Sequence, residues 1–503
     1  MARASIARIA LTACVTQVAA VQLQTPAPSG GGTSASRAAA VREAVGHFWS
    51  GYRTAAWGAD EVQPIEGQPL LAWGGVGMMI LDSMDTLWLA GMQKEFAEAE
   101  GYVANMSFAV PFKASDELMT SFFETTIRAL GGLLSTYALS HRPVFLERAT
   151  DLGDRLMQAF PTKDDGSSTD MPSHQWPSYA INIAHPEEEL VLFPETSKES
   201  LADAGSNLLE FTYLSQATGQ DKYRNAAQNV ENRLIDLAAK TNQHLAPKLL
   251  EGFTQSFASK NVTVGGMADS YFEYLMKGYL QSGESERRLL LEWKAAMKQM
   301  RQALIRTSKD GRTYISQQAV SDSGTFHGAV EEMDHLSCFM PGSLALAVHS
   351  FPAEDVEPWW LPTAEAIAET CYAMYSQSPS GLAPEASSFE SGHMTPSRVS
   401  YQLRPETLES LFYLYRVTGN ATYQDWSWEI FRTINKQTRT KFGFANVKDV
   451  RHGHVELDDN EATYMGAETL KYALLAQLPS SALSLKDFVL NTEGHPLPLR
   501  RSR

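Results

Sequence analysis

The chain has 503 residues, 44% of them hydrophobic, with 42 basic side chains against 58 acidic ones and a formal net charge of −16. That length supports a large buried core, and the acidic excess excludes nucleic acid and anionic membranes as main partners. A neutral or cationic ligand is easier to accommodate, although such a surplus also arises as a plain solvated surface.

Residues 1–21 place Arg3 and Arg8 before a short apolar run, Ile9 to Val21, that contains small residues near its end. This reads as a signal peptide, with a signal anchor as the alternative, and the run is short of the roughly 18 to 20 apolar residues a span needs. Residues 22–37, rich in Pro, Gly and Ser, are predicted to be a flexible linker. No later segment is apolar enough to span a bilayer. The mature chain is expected in the secretory-pathway lumen or secreted, as a monomer without membrane insertion; residence in the Golgi or endoplasmic reticulum stays open.

Helical spacing of apolar residues dominates from Ala38 onward, which predicts an all-α protein. The more apolar helices are expected over about 82–92, 122–140, 204–218, 269–282, 335–349, 404–418 and 466–478. Most are followed by a charged amphipathic helix, and Ala38 to Tyr52 supplies a further outer one. Such alternation suits an inner ring of apolar helices wrapped by an outer ring; an α-solenoid is the rival, but its repeats share one period and these are uneven. One domain over 38–496 is expected, with 497–503 as a tail.

Acids stand near the starts of these apolar helices: Asp82 and Asp85, Glu124, Glu210, Asp269 and Glu273, Glu406 and Glu409, and Glu468. Capping and helix-dipole chemistry explains any one of them. Apolar company such as Phe122-Phe123-Glu124 and Tyr271-Phe272-Glu273-Tyr274 is less usual for a surface cap. Buried carboxylates must be paired, hydrogen-bonded or used, and a sugar site needs acids, arginines and aromatic faces together. Glycoside hydrolysis needs two carboxyls, one protonated and one ionised. Of three cysteines, Cys14 falls in the signal segment, leaving Cys338 and Cys371 as one disulfide or two buried thiols. Sequons at Asn105, Asn261 and Asn420 agree with secretion and N-glycosylation.

Several motifs stand in order: Ile80-Leu-Asp-Ser-Met-Asp-Thr-Leu87, Phe123-Glu-Thr-Thr-Ile-Arg128 with Gly131-Gly-Leu-Leu134, Leu209-Glu-Phe211 and Asp269-Ser-Tyr-Phe-Glu-Tyr-Leu275. They continue with His335-Leu-Ser-Cys-Phe339, Leu403-Arg-Pro-Glu-Thr-Leu-Glu-Ser410, Glu468-Thr-Leu-Lys-Tyr472 and Asn491-Thr-Glu-Gly-His-Pro496. With these the chain resembles the class I α-1,2-mannosidases, glycoside hydrolase family 47, from Ala38 to Pro496. The resemblance implies an (α/α)7 barrel, Ca2+ and inverting removal of terminal α-1,2-linked mannose from high-mannose N-glycans on glycoproteins. By position it implies Glu124 as general acid through a water, Glu406 as general base and Asp269 as a third catalytic carboxylate.

The same resemblance implies Thr492 as the residue giving direct oxygens to the ion. It implies Arg128, Glu210, Glu273, His335, Glu385, Arg404, Glu409, Glu468 and Glu493 as sugar-contacting or ion-shell residues, and Cys338 with Cys371 as the disulfide pair. Tyr464 falls where the family carries an aromatic that stacks on sugar. Gly494 stands where Ala is usual and is expected to loosen the ion-binding loop. A degradation-enhancing mannosidase-like protein, or an inactive glycan-binding protein on the same barrel, is the alternative.

Overall fold

Long amphipathic stretches bury one stripe and apolar stretches bury every side, so the helices sort into two environments. A computed structural model describes residues 33–109, 119–161, 175–186, 190–191 and 198–500. The signal peptide expected over 1–21 and most of the linker lie outside the described residues. The linker's end does not hold: α1 spans Ser34–Ala55, with the Thr33 side chain accepting from Ser36 N as its N-cap. Arg37 is buried and pairs with Asp425 at 2.6 Å, which fixes residues 34–37 in the helix.

The other principal helices are α2 (Met78–Leu89), α3 (Gln93–Asn105), α4 (122–140), α5 (Pro143–Leu156), α6 (Leu208–Thr218) and α7 (Lys222–Thr241). They continue as α8 (Asp269–Gln281), α9 (Arg287–Ala303), α10 (Met340–Ser350), α11 (Trp360–Ser376), α12 (Glu406–Thr418), α13 (Ala421–Gln437) and α14 (Leu470–Gln477). Even-numbered helices are buried nearly all round: α2 hides every residue from Met78 to Leu87. Odd-numbered ones bury a stripe, as α5 does with Phe145, Ala149, Leu152 and Leu156. Each even helix packs on the next, and α2 meets the turn leading into α14, which closes an inner ring of seven inside an outer ring of seven among the described residues. This is the (α/α)7 barrel. Its strands, none longer than five residues, pair as small antiparallel sheets in the connections.

Two local features let the ring close around a plug. A hairpin pairs Phe488–Leu490 with Pro496–Pro498, so the expected tail from 497 begins as a strand, and its tip enters the ring. A Cβ on Gly131 would lie 2.7 Å from Asn491 Nδ2, and one on Gly132 would lie 2.1 Å from Leu81 O. The glycine pair therefore permits α4 to approach both α2 and the plug.

Cys338, in the turn before α10, and Cys371, in α11, form a buried disulfide joining inner to outer ring. Asn105, Asn261 and Asn420 are exposed, and the Asn420 side-chain oxygen caps α13 by accepting from Thr422 N. No helix among the described residues is long and apolar enough to cross a membrane.

Candidate active site

Because inner helices run parallel to one another, their N-terminal ends gather at one end of the barrel. Asp269 and Glu406 are the first residues of α8 and α12, and Glu124 closes the first turn of α4. All three line a single cavity of about 440 Å³, with Thr492 and Glu493 from the plug also in its wall. That volume suits a sugar-sized ligand. Partial positive charge at the helix ends favours carboxylates here, and Asp269 accepts from Ser270 N at 3.0 Å, so the capping reading and the functional one both apply.

Electrostatics separates the carboxyls. Burial, together with the charges of Asp334, Glu273 and Glu406, pushes Asp269 up to about 8, so it keeps its proton at neutral pH. Burial alone would also raise Glu406. His335 Nδ1, 2.8 Å from Glu406 Oε2, and the Arg404 guanidinium outweigh it and hold Glu406 below the ordinary carboxylate range. His335 is fixed in turn, with Nε2 2.9 Å from the Tyr375 hydroxyl.

Arg128 organises the opposite wall. It makes a 2.7 Å ion pair with Glu124, pairs with Glu493 and donates to Thr463 at 3.0 Å. It sits within Thr125–Leu130, a π-helical stretch of α4; a second one, Met465–Thr469, leads into α14 and carries Glu468. Such insertions leave carbonyls without a regular partner, and here Asn491 Nδ2 donates to Ile127 O at 2.9 Å. Tyr464 lies between Arg128 and Arg404, whose guanidinium carbons are 5.5 and 5.7 Å from its ring centre.

The remaining predicted residues divide between wall and support. Arg404, Glu273, Glu409, Glu468 and Tyr464 line the cavity. Glu210, His335 and Glu385, expected to contact sugar or the ion shell, are not in its wall. Glu385 pairs with Arg404 at 2.9 Å and His335 holds Glu406. Glu210 is fully buried, accepting from Tyr274 OH and Asn491 Nδ2 at 2.7 Å each. Asp82 and Asp85 lie within α2, not at its start, because the helix begins at Met78.

Gly494 has a φ of +70°, a conformation that an alanine adopts only with strain. Its carbonyl accepts from Lys471 Nζ at 2.8 Å and its N–H reaches Asn491 O, so the expected loosening is replaced by a pinned turn.

Around Thr492 the cavity is crowded with acids. Glu468 and Glu493 are both raised well above the ordinary range, first by burial; Glu493 adds its charge against Glu468, and Asp82 adds its charge against Glu493. A hard cation near Thr492 would relieve that repulsion, so the residues present fit Ca2+. Among the described residues no group of three or more His, Cys, Asp or Glu is placed to hold a metal ion.

Sequence reading missed Lys277, Asp203 and His495. Lys277 is buried, pairs with Glu273 and lies 3.7 Å from Glu409; its i+4 spacing from Glu273 was the available signal. Asp203 lines the cavity and is pushed up to about 6 by burial and the charge of Glu124, with no motif to mark it.

A closed helical barrel whose pocket holds a protonated and an ionised carboxyl among arginines and an aromatic ring has the groups that glycoside hydrolysis needs. The chain's residues 44–499 match the family model Glycosyl hydrolase family 47. It is similar to the mouse endoplasmic reticulum mannosyl-oligosaccharide 1,2-alpha-mannosidase, 37% identical over 475 residues, covering 91% of this chain and 67% of that protein. It is 38% identical to the human counterpart, covering 90% of this chain and 62% of the relative, so it spans about two thirds of the mammalian proteins' length. Arabidopsis thaliana mannosyl-oligosaccharide 1,2-alpha-mannosidase MNS1 is 36% identical, with 91% of this chain and 78% of that protein covered. Among solved structures, an alpha-1,2-mannosidase from Trichoderma reesei superposes with a TM-score of 0.82 at 26% identity, covering 93% of this chain and all of that one. The chain belongs to glycosyl hydrolase family 47.

Proposed function

We propose that this glycoside hydrolase removes terminal α-1,2-linked mannose from high-mannose N-glycans, with inversion and with bound Ca2+, inside the secretory pathway or after secretion. The carrying observation is the pairing of protonated Asp269 with ionised Glu406 in one sugar-sized cavity. Glu406, kept ionised by His335, accepts the proton of the attacking water. The leaving oxygen takes its proton from the Asp269 and Glu124 side, and Asp269 holds one at neutral pH. Tyr464 offers a ring face to the sugar, and Arg128 and Arg404 offer donors to hydroxyls.

Thr492 would hold the ion directly, with Glu273, Glu409, Glu468 and Glu493 acting through waters. The ion would supply a hard positive charge for vicinal sugar hydroxyls. The resemblance of motif and fold supports this reading, as do the names of the relatives.

The test is mannose release from a mannose-α-1,2-mannose disaccharide, followed by proton NMR of the first anomer formed, with and without EDTA. β-Mannose released only without EDTA is expected. α-Mannose as first product would overturn inversion, and undiminished rate in EDTA would overturn the ion. Loss of the upper pH limb in Asp269→Asn but not in Glu124→Gln would assign the acid to Asp269.

A further inference from the structure

The geometry points to His495 as a positioning residue: its imidazolium, clamped between two buried aspartates of α2, locks the Asn491–His495 turn that carries Thr492. Nε2 lies 2.9 Å from Asp82 Oδ1 and Nδ1 lies 2.8 Å from Asp85 Oδ2, and all three side chains are fully buried. Carboxylates only accept hydrogen bonds, and a neutral imidazole has one N–H, so filling both contacts requires the doubly protonated ring. Charge is balanced on the spot. Lys471 Nζ is 2.9 Å from Asp85 Oδ1, and Arg128 Nη1 is 3.6 Å from Asp82 Oδ2.

The clamp acts on the turn from one side while Asn491 acts from the other. Asn491 Oδ1 accepts from Glu493 N at 3.0 Å and from His495 N at 2.8 Å, and its Nδ2 reaches Ile127 O and Glu210. Asn491 N donates to His495 O at 2.9 Å, Gly494 N donates to Asn491 O at 3.1 Å, and Thr492 N is 3.5 Å from Tyr274 OH. Every amide of the turn is thus occupied. The room for the ring comes from Gly131 and Gly132, where a Cβ would lie 3.0 and 3.3 Å from His495 carbons. A two-point ionic clamp fixes the rotation of the turn as well as its depth, which a single hydrogen bond does not. Thr492 and Glu493 are aimed into the cavity as a consequence.

This inference rests on the reading of Thr492 as a substrate- and ion-contacting group, and its test has a readout independent of that reading. Amide hydrogen exchange by mass spectrometry on the full chain compares wild type with His495→Gln, whose single amide cannot span both aspartates. Exchange across 491–495 is expected to rise roughly tenfold or more, with α2 and α14 unchanged. In the same variant KM for the disaccharide rises more than kcat falls. Should His495→Gln fail to fold, Asp82→Asn, which keeps an acceptor oxygen but loses its charge, is expected to give the same localised rise. Unchanged protection at 491–495, or protection lost equally over α2 and α14, would overturn the clamp. An inactive wild type would instead sink the functional reading while leaving the exchange result decisive for His495.

Discussion

Replacing Glu406 by Gln tests the division of labour in the cavity. Gln matches Glu in shape and its side-chain oxygen can still accept from His335 Nδ1, so the 2.8 Å contact and the cavity wall survive while the charge goes. A general base contributes about 10²- to 10⁴-fold, equivalent to about 2.7 to 5.4 kcal/mol in the barrier. Turnover should fall by that factor with sugar affinity nearly unchanged. A second effect follows from Glu406 being one of the charges that raise Asp269. In the wild type, activity should hold down to the acid side of the ordinary carboxylate range, decline below it as Glu406 takes up a proton, and decline above about pH 8 as Asp269 loses its own. In the residual activity of Glu406→Gln the upper limb should move to lower pH. The assay is mannose release from the disaccharide across pH 4 to 9, with calorimetric affinity measured in parallel. Turnover within tenfold of wild type would refute Glu406 as the base, whatever the pH profile shows.

Removing the disulfide in Cys338→Ser/Cys371→Ser opens a loop with a sequence separation of 33 and should cost about 3 to 4 kcal/mol in denaturant melts; an unchanged midpoint would count against a bond formed in solution. Arg128→Met strips the cation from Glu124, Glu493 and Asp82 and should cost about 3 to 5 kcal/mol, because the buried Asp82 carboxylate loses a compensating charge and two further acids lose their donor. Arg128→Lys should recover part of that in the same melts, since one ammonium replaces a fork. Glu231, buried between α7 and α9, is raised from 4.5 to about 8 by burial and by Glu292. Between those values the unfolded chain has lost the proton that the folded chain keeps, so stability falls as pH rises through that window. Glu231→Gln should therefore stabilise the protein by an amount that grows from pH 5 to 8, at about 1.4 kcal/mol per unit; parallel melting curves for the two proteins would refute it. From a secretory host, glycosidase treatment should lower the mass by up to three N-glycans, at Asn105, Asn261 and Asn420; no mass change would remove all three assignments.

How much was legible varies with the range of the interaction. Helix positions were readable because apolar periodicity is local: 122–140 was found as it stands, and 404–418 differs from α12 by two residues at its start. The start of α1 was not, since Arg37 is held by Asp425, nearly four hundred residues on. Glu273 and Glu409 were singled out as acids, but the Lys277 that joins them escaped notice although its spacing announced it. Glu385 and His335 were matched as ligands of the sugar or the ion shell, and sit behind Arg404 and Glu406 instead. A motif gives chain order and residue type, not depth below a surface.

By itself the sequence determined the fold class, the family motifs and the set of convergent acids, because hydrophobic period and residue chemistry are carried by neighbours along the chain. Tertiary structure alone decided which acid keeps a proton, since burial and opposing charge come from other helices. It also decided how Asn491 to His495, matched by motif alone, closes the floor of the cavity, held by aspartates about four hundred residues away.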